Sequence, residues 1–386
     1  MIYLDNSATT VVREEVRDAM LPYLGEHGGN PSSIHKSGRL ARQAVDRARE
    51  QVALLLNCKP SEIFFTPCGT YSNNTAILGR ARYAEANGMG RHLITCQIEH
   101  PSVLGPAKYL EANNWDVTYL PVDAEGLIDL AVLQRNIKPN TSIVSLMWAN
   151  NEIGSVFPIA EFAAAVRERG AFFHTDAVQV PGKMRIDVQE LGVDTLALSG
   201  HKFYAPKGIG ILYKRETVQV QPIVWGGGQE GALFPGTEAL SSIVGIGVAA
   251  ELAYKELDRE HQHLKEMGSV LLEGLRSIEG ARLTGPKDPD KRLPGHASAV
   301  LPGVEGEAAV LQCDLKSLMI SSASACKKGI MQPSHVVAAL GIADEVAVGS
   351  LRLSAGRFNT IDECQTAIAT VGNVVAKLRK SAGVTA

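Results

Sequence analysis

Short apolar runs alternate with longer amphipathic ones through roughly the first 250 residues, and this alternation leaves few folds open. Glu62 to Phe65, His92 to Cys96, Val117 to Leu120, Ser142 to Trp148 and Ile209 to Tyr213 are runs of strand length, each bounded by polar residues or glycine. Helical patterns stand between such runs. In one, from Gly38 to Asn57, Leu40, Ala44, Val45, Ala48, Val52 and Leu55 recur at helical spacing with charges between them. The order predicts an α/β fold, a mostly parallel sheet wrapped by helices. A long helical stretch from Ile243 to about Ile278 follows, and then Gly285-Pro286-Lys287-Asp288-Pro289-Asp290 breaks the pattern and predicts a domain boundary. Strands around Ser298 to Leu301, Leu318 to Ser321 and Leu351 to Leu353, with a closing helix from Ile361 to Lys380, predict a smaller α+β unit.

Composition narrows the class. With 386 residues, 45% of them hydrophobic, and a net charge of -3, the chain can bury a large core and fill two domains. Disorder, collagen and coiled coil are excluded. The first ten residues have no basic region followed by an apolar stretch, and no segment approaches the ~20 apolar residues of a membrane span, so a soluble, cytoplasmic protein is expected. Cysteines 58, 68, 96, 313, 326 and 364 are dispersed, which argues for reduced thiols. The slight acidity gives no support for nucleic acid as a ligand.

Two of the apolar runs end in chemistry. Ala171 to Phe173 leads to Asp176 and Gln179; Thr195 to Leu198 leads to Ser199-Gly200-His201-Lys202. A carboxylate and an amine at two strand ends are the pair that pyridoxal phosphate (PLP) chemistry needs, the amine to bond the cofactor aldehyde and the carboxylate to keep the pyridine nitrogen protonated. Thr66 to Asn74 follows a strand and opens a helix, either as an anion site suited to a phosphate or as a plain N-cap. Gly226-Gly227-Gly228 and Gly236-Thr237 match neither a Walker A loop nor a dinucleotide fingerprint, so NTP and NAD binding have no support. His92, Cys96 and His100 have the spacing of ligands on one helix face, but their run is β-like, which argues against a metal site. His100 is placed to stack on an aromatic cofactor or to be a satisfied loop histidine. Cys326, between small residues and Lys327-Lys328-Gly329, sits where a thiolate is favoured and is the nucleophile candidate. Arg352, inside a strand pattern, needs an anion, whether a substrate carboxylate or an internal salt bridge.

Taken together these segments resemble the NifS/IscS-type (group I) PLP-dependent cysteine desulfurases, within the class V aminotransferases. The likeness is carried by Tyr3 to Thr10, Gly29 to His35, Glu99 to Val103, Met147 to Gly154, His174 to Gln179, Ser199 to Lys202, the Cys326 segment and Arg352. It implies a PLP-dependent transferase of fold type I, with a mostly parallel seven-stranded sheet in a large domain, residues 14–260. Residues 1–13 and 261–386 would form a small domain bearing the cysteine loop. By the same resemblance Lys202 bonds PLP, Asp176 pairs with the pyridine nitrogen, Gln179 reaches the phenolic oxygen, and His100 stacks on the ring as an acid or base. Gly69, Thr70, Ser199 and His201 would cradle the phosphate, joined by the partner subunit's Thr237 in a homodimer. Asn151 would contact the cofactor and, with Arg352, the carboxylate of L-cysteine. Cys326 would receive the sulfur as a persulfide, leave L-alanine, and pass the sulfur to a protein acceptor such as an iron–sulfur scaffold or a thiolation enzyme. No metal is implied. A selenocysteine lyase, another class V aminotransferase and a non-catalytic scaffold of the same fold are the other readings. The chain departs from the pattern at Tyr71, where the family usually has glutamate, and at Gly231 and Phe234, where it usually has arginines.

Overall fold

A computed structural model of the chain describes residues 1–322, 325–327 and 330–383, with the side chains of residues 323–332 outside the description. Among the described residues, seven strands form the main sheet in the order Ile63–Thr66, Gly210–Lys214, Thr195–Ser199, Phe172–Asp176, Thr141–Ser145, His92–Cys96 and Asp116–Leu120. Only Gly210–Lys214 runs against its neighbours; the other pairings are parallel. Except at the edge strand Asp116–Leu120, nearly every strand residue is buried, because both faces of the sheet are covered. Leu93, Ile143 and Phe172 point into one core, and the next residues, Ile94, Val144 and Phe173, into the other. The run from Ser142 to Trp148 is strand only as far as Ser145.

The helices follow their sequence signals. Lys36–Leu56 starts where the His35 ring accepts from the Gly38 amide, buries Ala41, Val45, Ala48 and Val52, and stops at Asn57, whose φ of 52° ends the ladder. Ile361–Ser381 opens on a reciprocal cap between Thr360 and Glu363 and buries Cys364, Ala367, Val371, Val374 and Val375. Among the described residues no helix is long and apolar enough to cross a membrane.

Two expectations are corrected. The stretch from Ile243 to Ile278 is two helices, Leu240–Lys255 and Leu257–Ser277, parted at Glu256. The Glu256 carboxylate is held there by Arg13 at 2.6 Å and Arg357 at 2.5 Å, contacts from distant parts of the chain that no local pattern announces. The Gly285 to Asp290 break is a loop inside one sheet rather than a boundary, because Arg282–Leu283 before it pairs antiparallel with His296–Val300 after it. That small sheet is completed by Ser350–Ser354, and Ile2–Tyr3 pairs separately with Leu318–Met319. Leu4 from the N-terminus shares a second hydrophobic core with Leu264, Leu271, Leu353 and Val371.

Candidate active site

Phe172–Asp176 and Thr195–Ser199 are parallel neighbours, so their C-terminal ends open on the same edge of the sheet. Asp176 is the last residue of the first strand, and a tight turn, Gly200–Lys202, follows the second. Between them is a cavity of about 190 Å³ lined by Asp176 and Lys202. Lys202 Nζ donates to the carbonyls of Ser7 at 2.6 Å and Ala8 at 2.7 Å. Burial and, after it, Arg352 lower the pKa of the amine to about 8 against the opposing pull of Asp176 and Asp5. Asp176 is anchored at both oxygens, Oδ1 by the Val178 amide at 3.0 Å and Oδ2 by Asn73 Nδ2 at 2.6 Å. His174 lies behind it, fully buried and pushed down to about 3 by that burial, so it is neutral. Its ring nitrogens are bonded to Thr195 Oγ1 and Asn73 Oδ1.

The helix Gly69–Ala86 begins at the same cavity without a side-chain cap. Its free amides and dipole favour an anion there. Space is tight on both sides of this start. A Cβ on Gly69 would stand 3.0 Å from Val178 and 3.2 Å from Ser199, and one on Gly210 would stand 2.6 Å from the Cys68 carbonyl carbon. Thr70, Ser199 and His201 also line the cavity. The His201 pKa is pushed down to about 4 by burial and by Lys202 and Lys207. An amine that forms imines, a fixed carboxylate and an uncapped helix start fit PLP, which carries an aldehyde, a basic ring nitrogen and a phosphate.

His100, Asn151 and Gln179 complete the set around the cavity. His100 caps the helix Pro101–Ala112, its Nδ1 accepting from the Ser102 amide. Gln179 Nε2 donates to Ser7 O at 3.0 Å. Arg352 is held in an internal salt bridge, NH2 at 2.7 Å from Asp5 Oδ1, while NH1 donates to the Asn151 carbonyl at 3.0 Å and Nε has no partner among the described residues. Thr237 lies apart from Lys202, in another cavity with Phe65, Tyr71 and Phe234. Glu230, Gly231 and Ala232 all turn through positive φ where the resemblance places the first arginine, and Phe234 packs on an apolar cluster where it places the second. Cys326 belongs by its backbone to the strand Ala325–Lys327, paired with Ile330–Gln332; its side chain lies outside the described residues. His92 and Cys96 are core residues, the former bonded to Thr141 and Thr118 and the latter to Glu99.

Sequence reasoning missed several residues of this neighbourhood. Asn73 and Ser102 lie within the first two turns of helices already singled out and carry the right chemistry, so they were within reach. Lys183, buried and pushed down to about 7 by that burial and by Lys202 and Arg352, donates to Gln179 Oε1 at 3.4 Å. His335 donates to the Glu99 carbonyl at 2.9 Å. Its approach to the His100 helix depends on the tertiary fold alone.

The family described as Aminotransferase class-V matches residues 2–366. A cysteine desulfurase IscS from Dictyoglomus turgidum is 41% identical over 379 residues, covering 98% of this chain and 95% of its own length. Among solved structures, a NifS-like protein superimposes with a TM-score of 0.90 at 34% identity, covering 97% of this chain and 99% of its own. SspA in complex with cysteine gives a TM-score of 0.79 at 34% identity, with coverage of 93% and 100%. End-to-end likeness at this identity, over a cavity that fits PLP, settles the kinship: the chain belongs to the class-V aminotransferase family, alongside its cysteine desulfurases.

Proposed function

We propose that the chain is a PLP-dependent cysteine desulfurase: L-cysteine and the Cys326 thiol give L-alanine and a persulfide on Cys326. The observation that carries this reading is Lys202 and Asp176 on one cavity at the ends of neighbouring strands, with the uncapped start of Gly69–Ala86 on the same cavity. Bound there, PLP supplies an electron sink that acidifies the Cα proton of an amino acid and weakens the bond from Cβ to sulfur. Lys202 would hold the aldehyde, Asp176 the ring nitrogen, Gln179 the phenolic oxygen, and Gly69, Thr70, Ser199 and His201 the phosphate. His100 would lie on the ring face. Lys202 Nζ, with its pKa lowered to about 8, is the group suited to take the Cα proton near neutral pH. Asn151 and Arg352 would receive the substrate carboxylate; Arg352 Nε, without a partner among the described residues, supports this, since a buried donor seeks an acceptor. Cys326 would take the sulfur as a thiolate and hand it to a protein acceptor.

Residues 14–260 would form the large domain and residues 1–13 with 261–386 the small one, a division supported by the core that Leu4 shares with Leu264 and Val371. The working unit would be a cytoplasmic homodimer in which Thr237 serves the second copy's site. Retention of Lys202 and Asp176 on one cavity argues against a non-catalytic scaffold. The test is Lys202→Ala: it should lose the covalent cofactor spectrum and all L-alanine formation from L-cysteine. A variant that kept both would place the cofactor on another residue.

A further inference from the structure

A chain of hydrogen bonds runs from Asp176 to His100 behind the wall of the cavity, and each link fixes the orientation of the next. The Asp176 carboxylate only accepts, so the Asn73 atom 2.6 Å from its Oδ2 must be the amide nitrogen. Asn73 Oδ1 then accepts from His174 Nε2 at 3.0 Å, and the second amide hydrogen goes to Ser102 Oγ at 2.8 Å. With Oγ accepting from Asn73, the Ser102 hydroxyl is free to donate, and His100 Nδ1 lies 2.7 Å away. The Ser102 backbone amide, which can only donate, also points at Nδ1 from 3.1 Å. Nδ1 therefore keeps its lone pair, and the proton of the neutral ring sits on Nε2. Asn73 is fully buried and Ser102 is 5% exposed, so neither link is exchanged freely for water.

Protonating His100 at Nδ1 would turn a donor against the Ser102 amide, which cannot reverse. The ring also caps the start of the twelve-residue helix Pro101–Ala112, whose dipole opposes a cation there. The charged and titratable groups facing it are Asp176, which favours the cation, and Lys202 and His335, which oppose it; desolvation is the larger effect and also lowers the pKa.

Resting on the cysteine desulfurase reading, we propose that His100 works as a neutral imidazole. Its Nε2–H is a fixed hydrogen-bond donor to negative charge on the substrate rather than a proton carrier, and Ser102 and Asn73 are positioning residues that hold it in that state. Removal of the Cα proton is then left to Lys202.

The test is 15N NMR of the PLP-loaded protein labelled at histidine, with His100→Gln identifying the His100 signals. Wild type should show the Nε2–H tautomer unchanged from about pH 6 to about pH 9, across the range where a free histidine titrates. Ser102→Ala keeps the backbone amide at Nδ1 but loses the hydroxyl donor, so it should keep the tautomer, shift the His100 Nδ1 resonance and lower kcat about tenfold, with KM for L-cysteine within about twofold; Ser102→Thr, which keeps the hydroxyl, should restore both. A wild-type His100 that titrates there or carries its proton on Nδ1 overturns the proposal, as does a folded Ser102→Ala with unchanged signals and kcat. If Ser102→Ala does not fold, the wild-type titration decides alone. L-Alanine measured on the same samples keeps the readings apart: its absence from wild type would sink the desulfurase reading while leaving the tautomer legible.

Discussion

Lys202 is a lysine whose charge is made costly. Burial and the nearby Arg352 bring its pKa to about 8, so in the apo protein the folded state binds fewer protons than the unfolded chain from about pH 8 up to the ordinary lysine value of ~10.4. The cost of the buried ammonium is therefore full below about pH 8, and apo stability should rise with pH across that window. Thermal unfolding of wild type against Lys202→Met isolates the effect; parallel curves would contradict it. For the same reason, covalent capture of PLP by the apo protein should speed up with pH and level off above about 8, and stopped-flow absorbance that kept rising to about pH 10 would remove the depressed amine from the account. Arg352 poses a different question, because its salt bridge to Asp5 is already made. If Nε also receives the substrate carboxylate, Arg352→Lys should raise KM for L-cysteine about tenfold or more with a smaller change in kcat, since an ammonium cannot reproduce the planar fork. Unchanged steady-state constants would leave Arg352 to Asp5 alone.

At the scale of elements, the site depends on how closely a helix start approaches a strand. Gly210 on Gly210–Lys214 has no room for a methyl group against the backbone at Cys68 and Gly69. Gly210→Ala should push the start of Gly69–Ala86 away, destabilise the protein by about 1–3 kcal/mol and weaken PLP retention about tenfold. Equilibrium unfolding and cofactor titration measure both, and an unchanged PLP affinity would detach the phosphate from this helix. What was legible in the sequence follows the same scale. Asp176 and Lys202 stood out because strand ends in a parallel sheet share one edge, so local runs place distant residues together. The strands His92–Cys96 and Gly210–Lys214 were read to within a residue because an apolar run of that length has few other uses. The joint at Glu256 was hidden, since its cause is Arg13 and Arg357 from far along the chain. The Gly285 to Asp290 loop misled because a turn between paired strands and a linker between domains have the same composition. The link from Asn73 through Ser102 to His100 was missed because it is a product of packing.

At the scale of the whole molecule, the cavity around Lys202 lacks Thr237, which lies with Tyr71 and Phe234 in a cavity of its own. If Thr237 completes the phosphate site of a second copy, light scattering should give twice the 41.3 kDa of one chain, and Thr237→Ala should weaken PLP retention by the ~1 kcal/mol of a single hydrogen bond without dissolving the dimer. A fully active monomer would return the phosphate to one chain. Transfer of sulfur from this cofactor site to a cysteine on a separate segment is read out by peptide mass spectrometry of the PLP-loaded protein after incubation with L-cysteine without reductant. One added sulfur atom is expected on the Cys326 peptide together with L-alanine, and neither sulfur nor turnover beyond the first binding step in Cys326→Ser. Sulfur found instead on Cys58, Cys68 or Cys313, or L-alanine formed at the wild-type rate by Cys326→Ser, would contradict this transfer.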